Sequence, residues 1–301
     1  MNFSRNLFLL TALLGLTVRA QEGSVPGWLE NLHLTASGTA SWVNNHSRTS
    51  HEPTRKDATT YELSVSGNKP RQLAPNLLLL TSGELSALTV QKYDLADNLR
   101  AGGRISLQRK FGLGPLAPVL QVNAGAFYKS ARLAFDRGWT TEAGLQLSQR
   151  VLTNLRLAAG AQWIEHNARS SVFDLNQHSY SLDANWDINE RWSLSGSVSR
   201  LKGDIVANAA WAVWGPAIKG GSGPTVKNYY TSRPWSETNI YGPRWVSYNA
   251  EADADLWSVS LAYVLSGHTS LELRHSGAYV VNKIGIAYPT DSWSLSLAHR
   301  F

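Results

Sequence analysis

The chain closes on the nine residues W-S-L-S-L-A-H-R-F, Trp293 to Phe301. Mostly apolar and aromatic side chains take every second position, and small or polar ones alternate with them. A period of two predicts a β-strand with two unlike faces. Soluble domains usually end in polar residues that fray. We therefore expect the last strand to present its apolar face to something other than a soluble core.

The same alternation recurs along the chain and predicts about 12 strands. They cover 32–42, 60–66, 77–90, 99–108, 120–128, 139–148, 155–163, 180–188, 192–198, 257–265, 271–275 and 293–301. Both faces of the third strand carry leucine, so its orientation stays open. The turn-forming residues Gly67, Asn68 and Pro70 predict that the second strand ends there. Short and long connections alternate, as in membrane barrels with tight turns at one end and loops at the other.

Together, the closing strand and the repeated alternation resemble the Gram-negative outer-membrane β-barrel proteins. The resemblance implies an all-β fold, a transmembrane antiparallel β-barrel of about 12 strands, with 14 as the alternative if 201–247 hides another hairpin. It implies outer-membrane lipid and lipopolysaccharide as surroundings and both termini in the periplasm. It also implies that Phe301 is the assembly signal read by the barrel-assembly machinery.

The N-terminal residues predict export. A short basic region up to Arg5 precedes an apolar stretch over 7–18, and Val18-Arg19-Ala20 offers a small-residue cleavage site. This pattern is typical of a secretory signal peptide and is too short for a spanning helix. We expect cleavage after Ala20, a single barrel domain over 21–301 and location in the bacterial outer membrane.

Composition agrees with this class of protein. The chain has no cysteine, so disulfides cannot hold it. Its 12 Trp and 11 Tyr are side chains that favour a membrane interface. The formal charge of +6 falls to +4 once Arg5 and Arg19 leave with the signal peptide. No basic stripe with stacking aromatics is present, so the sequence does not predict nucleic-acid binding. It leaves the oligomeric state open.

Charged residues on the polar faces of the strands are expected to line the lumen, because an arginine facing hydrocarbon costs about 2–4 kcal/mol. The candidates are Glu62, Arg100, Arg104, Glu142, Arg156, Asp183 and Arg274. Both signs occur, which favours paired charges over a ring of one sign. Arg100 and Arg104 are candidates for an anion-attracting strip in an open pore. The alternative is a salt-bridge network that stiffens the wall.

Between 201 and 247 the alternation is lost, and glycines and prolines accompany many aromatic residues. This range predicts a long extracellular loop over the barrel mouth. Its aromatic candidates are Trp211, Trp214, Tyr229, Tyr230 and Trp235. They would either pack the loop into the mouth or bind an external partner by stacking.

Catalytic and metal-binding patterns are weak. The His46-Ser47 and His178-Ser179 pairs lack the surroundings found in outer-membrane phospholipases, and His46, His51 and Glu52 form no known metal motif. We therefore predict no enzyme, no metal and no cofactor. The favoured function is a passive pore for small solutes. The alternatives are a structural or adhesive surface barrel and, below it, an outer-membrane lipid hydrolase.

Overall fold

The structure, a computed structural model, describes residues 32–301, so the predicted signal peptide over 1–20 lies outside the described residues. Strands dominate this range, joined by two short helices and three single 3-10 turns. The strands are β1 His33–Asn44, β2 Ala58–Ala74, β3 Leu77–Val90, β4 Asn98–Lys110, β5 Val119–Ala131, β6 Gly138–Leu152, β7 Leu155–Ala168, β8 Leu175–Asp187, β9 Trp192–Ala210, β10 Trp235–Glu237, β11 Trp245–Ser266, β12 Thr269–Asn282 and β13 Ala287–Arg300; the helices are α1 Trp211–Lys219 and α2 Pro224–Ser232.

Twelve of these strands close into one antiparallel barrel. Each pairs with its neighbour in the chain, β13 pairs with β1, and β9 pairs with β11. Closure leaves the wall no free edge, so each strand has a hydrogen-bonding neighbour on both sides. The predicted all-β barrel of about 12 strands is confirmed. The 14-strand alternative is not adopted, since β10 contributes only three residues that pair with β11.

Outside and inside of the wall differ as the alternation predicts. Outward positions carry large apolar side chains that remain exposed, such as Ile105 at 58% and Leu182 at 61%. Inward positions carry hydroxyls that pair across strands: Ser37 Oγ lies 2.7 Å from Ser64 Oγ. The barrel is therefore apolar outside and polar inside. Among the described residues, no helix is both long enough and apolar enough to cross a membrane.

The two ends of the barrel are unequal. The turn end has four connections of two to four residues, 75–76, 153–154, 188–191 and 267–268, and one of eight residues, 111–118. The loop end has 45–57, 91–97, 132–137, 169–174, 211–244 and 283–286. By this alternation the C-terminal residue Phe301 lies at the turn end, where its backbone N–H donates to Leu34 O over 3.0 Å.

The predicted end of the second strand is wrong. β2 runs through Gly67, Asn68 and Pro70 and turns only after Ala74. A proline removes one donor from the ladder and is tolerated where a strand has a free edge. β1 stops pairing with β2 at Asn68, so Pro70 has a partner strand on one side only.

The predicted loop boundaries, 201 and 247, also need correction. β9 continues to Ala210 and β11 begins at Trp245, so the segment between them is 211–244. The strands persist there because they pair with each other from Leu201↔Ala254 up to Ala210↔Trp245. The apolar and polar residues do not alternate clearly here, because neither face of this part of the hairpin forms a uniformly apolar exterior.

Gly203 marks the point where this hairpin leaves the wall. It is the last residue of β9 that pairs with β8, and its φ is +136°, a conformation that favours glycine. A Cβ at this position would collide with the carbonyl oxygen of Asn176 on β8. Beyond Gly203 on β9 and Ala252 on β11, the two strands pair with no other wall strand.

Candidate functional site: the lumen and the cap over its mouth

Arg100 and Arg104 face the lumen from β4 and converge on Glu142 of β6. Arg104 Nε donates to Glu142 Oε1 over 2.6 Å, and Arg100 Nη2 lies 3.7 Å from Glu142 Oε2. The Glu142 side chain is only 5% exposed, whereas the two arginines remain partly accessible from the lumen. A buried carboxylate between two guanidiniums is neutralised and hydrogen-bonded. The two arginines therefore do not form a free cationic strip.

Two inward-facing residues of this network, Glu84 and Phe127, were not predicted from the sequence. Glu84 Oε1 lies 3.5 Å from Arg100 Nη1, and the Arg100 guanidinium carbon lies 3.8 Å from the centre of the buried Phe127 ring. Leucine on both faces of β3 concealed the orientation of Glu84. For Phe127 the signal was present, because the neighbouring glycines Gly102 and Gly125 leave room for a flat inward ring.

Glu62 shares the inward face of β2 with Ser64 and interacts electrostatically with Glu84 and Arg100 of this network. The other three predicted lumen charges lie apart from it. Asp183 accepts hydrogen bonds from Ser197 Oγ at 2.7 Å and Ser181 Oγ at 3.1 Å. Arg274 pairs with Glu272 on its own strand, with Nε 3.0 Å from Oε1. Arg156 has no hydrogen bond or ion pair with any residue in the range 32–301.

A further polar cluster lies nearer the loop end and was not predicted as a unit. Lys129 Nζ donates to Asp136 Oδ2 over 2.6 Å, and His166 Nε2 lies 3.5 Å from the other oxygen of that carboxylate. Nδ1 of the buried His166 is 2.8 Å from Thr140 Oγ1. These residues come from β5, the following loop, β6 and β7, which no short sequence motif could bring together.

The segment over the mouth is an ordered cap, defined here as residues 203–252. It contains α1, α2, β10 and the extended ends of β9 and β11. Trp214 of α1 is 1% exposed and stacks on Tyr248 of β11 at 4.6 Å between ring centres. Tyr230 of α2 packs edge-on against both rings, at 5.1 and 5.2 Å. The predicted loop aromatics therefore contact one another inside a core of the cap.

The remaining predicted aromatics flank this core. Trp211 and Tyr229 are half-buried and pack against it, and Trp235 of β10 is the most exposed of the five. Trp235 still lies 5.7 Å from the Trp214 ring. Most of the ring surface that stacking on an external partner would require is thus covered by neighbouring rings.

A hydroxyl network ties the cap to the wall. The Tyr288 hydroxyl of β13 accepts from the Tyr248 hydroxyl at 3.1 Å and from Asn282 Nδ2 at 3.0 Å. The same oxygen lies 3.1 Å from the Tyr230 hydroxyl, to which it can donate. Each of these three tyrosine hydroxyls has a partner, so the core can bury them without an unsatisfied hydroxyl.

The cap reaches three other loops around the mouth. Asn208 Nδ2 donates to Ser47 O over 2.8 Å, and Asn249 Nδ2 donates to Asp174 O over 2.7 Å. The Tyr241 ring packs 4.9 Å from that of Tyr93, in the loop between β3 and β4. In the strand order this loop lies opposite the β9–β11 hairpin. The cap therefore spans the mouth from one side of the barrel to the other.

His46 and Tyr241 form the contact between the cap and the first loop. The Tyr241 hydroxyl donates to His46 O over 3.0 Å, and His46 Nδ1 lies 3.1 Å from the same hydroxyl. Burial, with a further effect of Arg48, lowers the pKa of His46 to about 4. Burial also raises the pKa of Tyr241. Both groups are therefore neutral in the closed cap at neutral pH.

The weak catalytic candidates are not arranged for catalysis. Ser47 Oγ donates to Asn45 Oδ1 and accepts from Lys56 N, while His46 Nδ1 faces Tyr241. His178 and Ser179 are consecutive in β8 and point to opposite faces of the wall. Within residues 32–301, no group of three or more His, Cys, Asp or Glu side chains is placed to hold a metal ion.

The closed wall, the apolar exterior and the polar lumen define the fold of the outer-membrane β-barrels. No family model and no curated protein sequence matches the chain. Among solved structures, an outer-membrane channel from Pseudomonas putida F1 is similar, with 9% identity and a TM-score of 0.57 over 94% of this chain and 98% of that one. At this identity the likeness shows the shared fold.

Weaker similarity extends to two other barrels. The NanC porin has 8% identity and a TM-score of 0.47 over 88% of this chain and all of its own. The outer-membrane channel DcaP of Acinetobacter baumannii has 9% identity and a TM-score of 0.43, with coverage of 90% and 96%.

Proposed function

We propose that the chain is an outer-membrane channel through which small polar solutes diffuse passively, without catalysis. One observation carries the proposal: the lumen is lined by charged and hydroxyl side chains that remain partly exposed, such as Arg100 at 31% and Arg104 at 39%. A barrel that served only as a rigid anchor would gain more stability by filling its interior with apolar side chains. The fold shared with a solved outer-membrane channel agrees with this function.

Location follows from the same proposal. The apolar exterior suits outer-membrane lipid and lipopolysaccharide, and the signal peptide over 1–20 would direct export. The turn end then faces the periplasm and the capped loop end faces outward. We also propose that Phe301 is read by the barrel-assembly machinery.

The cap determines how the channel must be tested. It lies across the mouth, so the intact protein is expected to conduct less than a variant in which 211–244 is replaced by a short Gly-Ser linker. Both proteins would be reconstituted in planar lipid bilayers and recorded in potassium chloride. Discrete conductance steps in the intact protein, larger in the linker variant, are the expected result. Absence of steps in both, with correct folding shown by circular dichroism, would overturn the channel and favour a structural barrel.

A further inference from the structure

A chamber lies inside the barrel toward the turn end, away from the Arg100–Glu142 network. Its volume is about 400 Å³, and it is lined by side chains of β6 to β9, β11 and β12. The lining is mainly hydroxyl, amide and guanidinium groups. Such a chamber has room for a small organic solute together with some water.

One row of the barrel register crosses this chamber. Cross-strand pairing connects five residues in sequence, each to the next: Arg156, Asn185, Ser195, Ser260 and Arg274. All five line the chamber. The row therefore carries a guanidinium at each end, hydrogen-bonding groups between them and no carboxylate.

Three carboxylates lie near this row, and none of them forms an ion pair with Arg156. Asp183 lines the chamber and accepts two serine hydroxyls, and Glu272 pairs with Arg274. Asp187 lies 3.8 Å from Arg150. Arg156 has no partner within the described range of 32–301, and its side chain is exposed in the lumen. Among the described residues, Arg156 is therefore the guanidinium of the chamber that has no carboxylate within ion-pair distance, so its hydrogen-bond donors face the lumen unpaired.

The position of Arg156 adds a second observation. It pairs across β6 and β7 with Arg150, so two guanidiniums on inward faces lie directly opposite each other. Like charges in this arrangement destabilise a sheet unless something lies between or beside them. Asp187 lies within ion-pair distance of Arg150, whereas no described carboxylate does so for Arg156.

We propose that this chamber is a binding subsite for small carboxylate solutes, with Arg156 as the principal ligand. The guanidinium would hold the carboxylate with two parallel hydrogen bonds, and Asn185, Ser195 and Ser260 would donate to the remaining oxygens. This inference deepens the proposed channel function and rests on it. Binding itself can be measured without conduction, so the two can fail separately.

The test is titration of the full mature protein in detergent with succinate, followed by calorimetry at constant ionic strength. Wild type is expected to bind succinate, and Arg156→Gln is expected to weaken binding by about fivefold or more, as removal of one charge pair at contact distance does in a water-like medium. Arg156→Lys keeps the charge and should retain a larger part of the affinity. Succinamide, a neutral analogue of similar size, should not bind.

Arg191→Gln is the matched control. It removes the same charge at the turn end, but Arg191 lies in the turn between β8 and β9 and contacts outward-facing Tyr263. Its affinity for succinate should equal that of wild type. If wild type does not bind succinate, or if Arg156→Gln and Arg191→Gln bind it equally well, the subsite is excluded. Channel recordings of the same proteins decide the proposed function independently.

Discussion

The wall and the cap use aromatic residues in opposite ways. Trp139 on the outer face of β6 is 56% exposed, whereas Trp214 in the cap is 1% exposed. In the wall, the surroundings supply an apolar medium, so each strand needs only one apolar face. In the cap, the chain must cover its own rings with α1, α2 and the inner side of β12 and β13. The wall thus obtains its apolar surroundings from outside the protein, whereas the cap obtains them from its own side chains.

This difference explains why the cap has a core of its own. Ile205, Ala207 and Ala209 on β9 continue the inward face of the wall, and all three are buried under the helices. The same face lower in β9 carries Ser195 and Ser197, which line the lumen. The strand thus changes from lumen wall to protein core without a break in pairing.

Trp214→Ala should produce the largest effect. Removal of a fully buried ring should cost about 4 kcal/mol, as large-to-small substitutions of core aromatics do. The cap should open locally while the wall persists. Hydrogen exchange of the amides over 211–252, compared with those of β4 and β5, measures the difference.

Two variants sharpen this prediction. Trp214→Phe keeps most of the ring contacts and removes an indole N–H that has no partner among the described residues, so it should cost far less. Trp139→Ala deletes the same ring from the wall and should leave exchange in the cap unchanged. Equal loss of cap protection in Trp139→Ala and Trp214→Ala would show that wall and cap are not separate packing units.

Acid should produce the second-largest effect, a loss of stability of the cap. The closed cap favours neutral His46, whose pKa is lowered to about 4, so the stability it supports is complete above pH 6.5. That stability declines as pH falls from 6.5 toward 4, by about 3 kcal/mol in total. Channel open time or cap hydrogen exchange, measured from pH 7 to pH 4, should follow this profile.

His46→Gln is the control for this titration. Glutamine cannot take up the proton, so the part of the acid-induced opening that His46 causes should disappear. Of the carboxyls in the cap, Asp204 has a pKa raised by burial, so acid stabilises it, whereas Glu251 has a pKa lowered by its hydrogen bond to Lys283, so acid weakens that contact. Only the net effect of these two opposed carboxyls should remain in His46→Gln. An unchanged acid response in this variant would assign the opening to another group.

Gly203→Ala compares cap and wall within one strand. The new Cβ would meet Asn176 O on β8 and occupy a φ of +136°, at a cost of about 2 kcal/mol. Gly196→Ala, seven residues earlier, meets nothing closer than Ser258 O at 4.0 Å and should be neutral or slightly stabilising. Urea unfolding followed by gel mobility of the folded form measures both. Equal losses would mean that the bend is not set at Gly203.

The sequence predicted most of the wall because each wall residue faces either the apolar exterior or the polar lumen. Apolar and polar side chains therefore alternate along each strand, and this alternation is visible in the sequence. Lumen residues such as Arg104 and Glu142 were identified only from their positions on the polar face of an alternating strand. Their pairing was not predictable, because Glu142 comes from two strands away and no short-range spacing encodes it. The range of lost alternation, 201–247, overlaps the cap, but its bounds needed correction. The helices and the core of the cap depend on contacts such as that of Trp214 with Tyr248, which the alternation of side chains does not describe.

Glu142→Gln tests the lumen network. The substitution leaves two guanidiniums without their shared carboxylate, which should cost about 1 kcal/mol because both arginines are partly solvated. The freed charge should also shift the zero-current potential in a salt gradient toward anions. Glu84→Gln removes an ion pair from Arg100 but none from Arg104, so its shift should be smaller. If Glu84→Gln gave the larger shift of the zero-current potential, Glu84 on β3 and not Glu142 would be the carboxylate that mainly sets ion selectivity.

Phe301→Ala should have the smallest effect on the free energy of unfolding. If Phe301 is an assembly signal, the same substitution should still lower the amount of folded protein in cells. The side chain is 51% exposed, and the substitution keeps the backbone bond to Leu34 O, so unfolding should change by about 0.5 kcal/mol or less. Phe111→Ala removes a similarly exposed ring at the same end. If Phe301 is read as an assembly signal, its variant alone should lose folded protein in cells while both refold equally from urea. A parallel loss in both variants would instead make the two rings equivalent contributors to the apolar exterior.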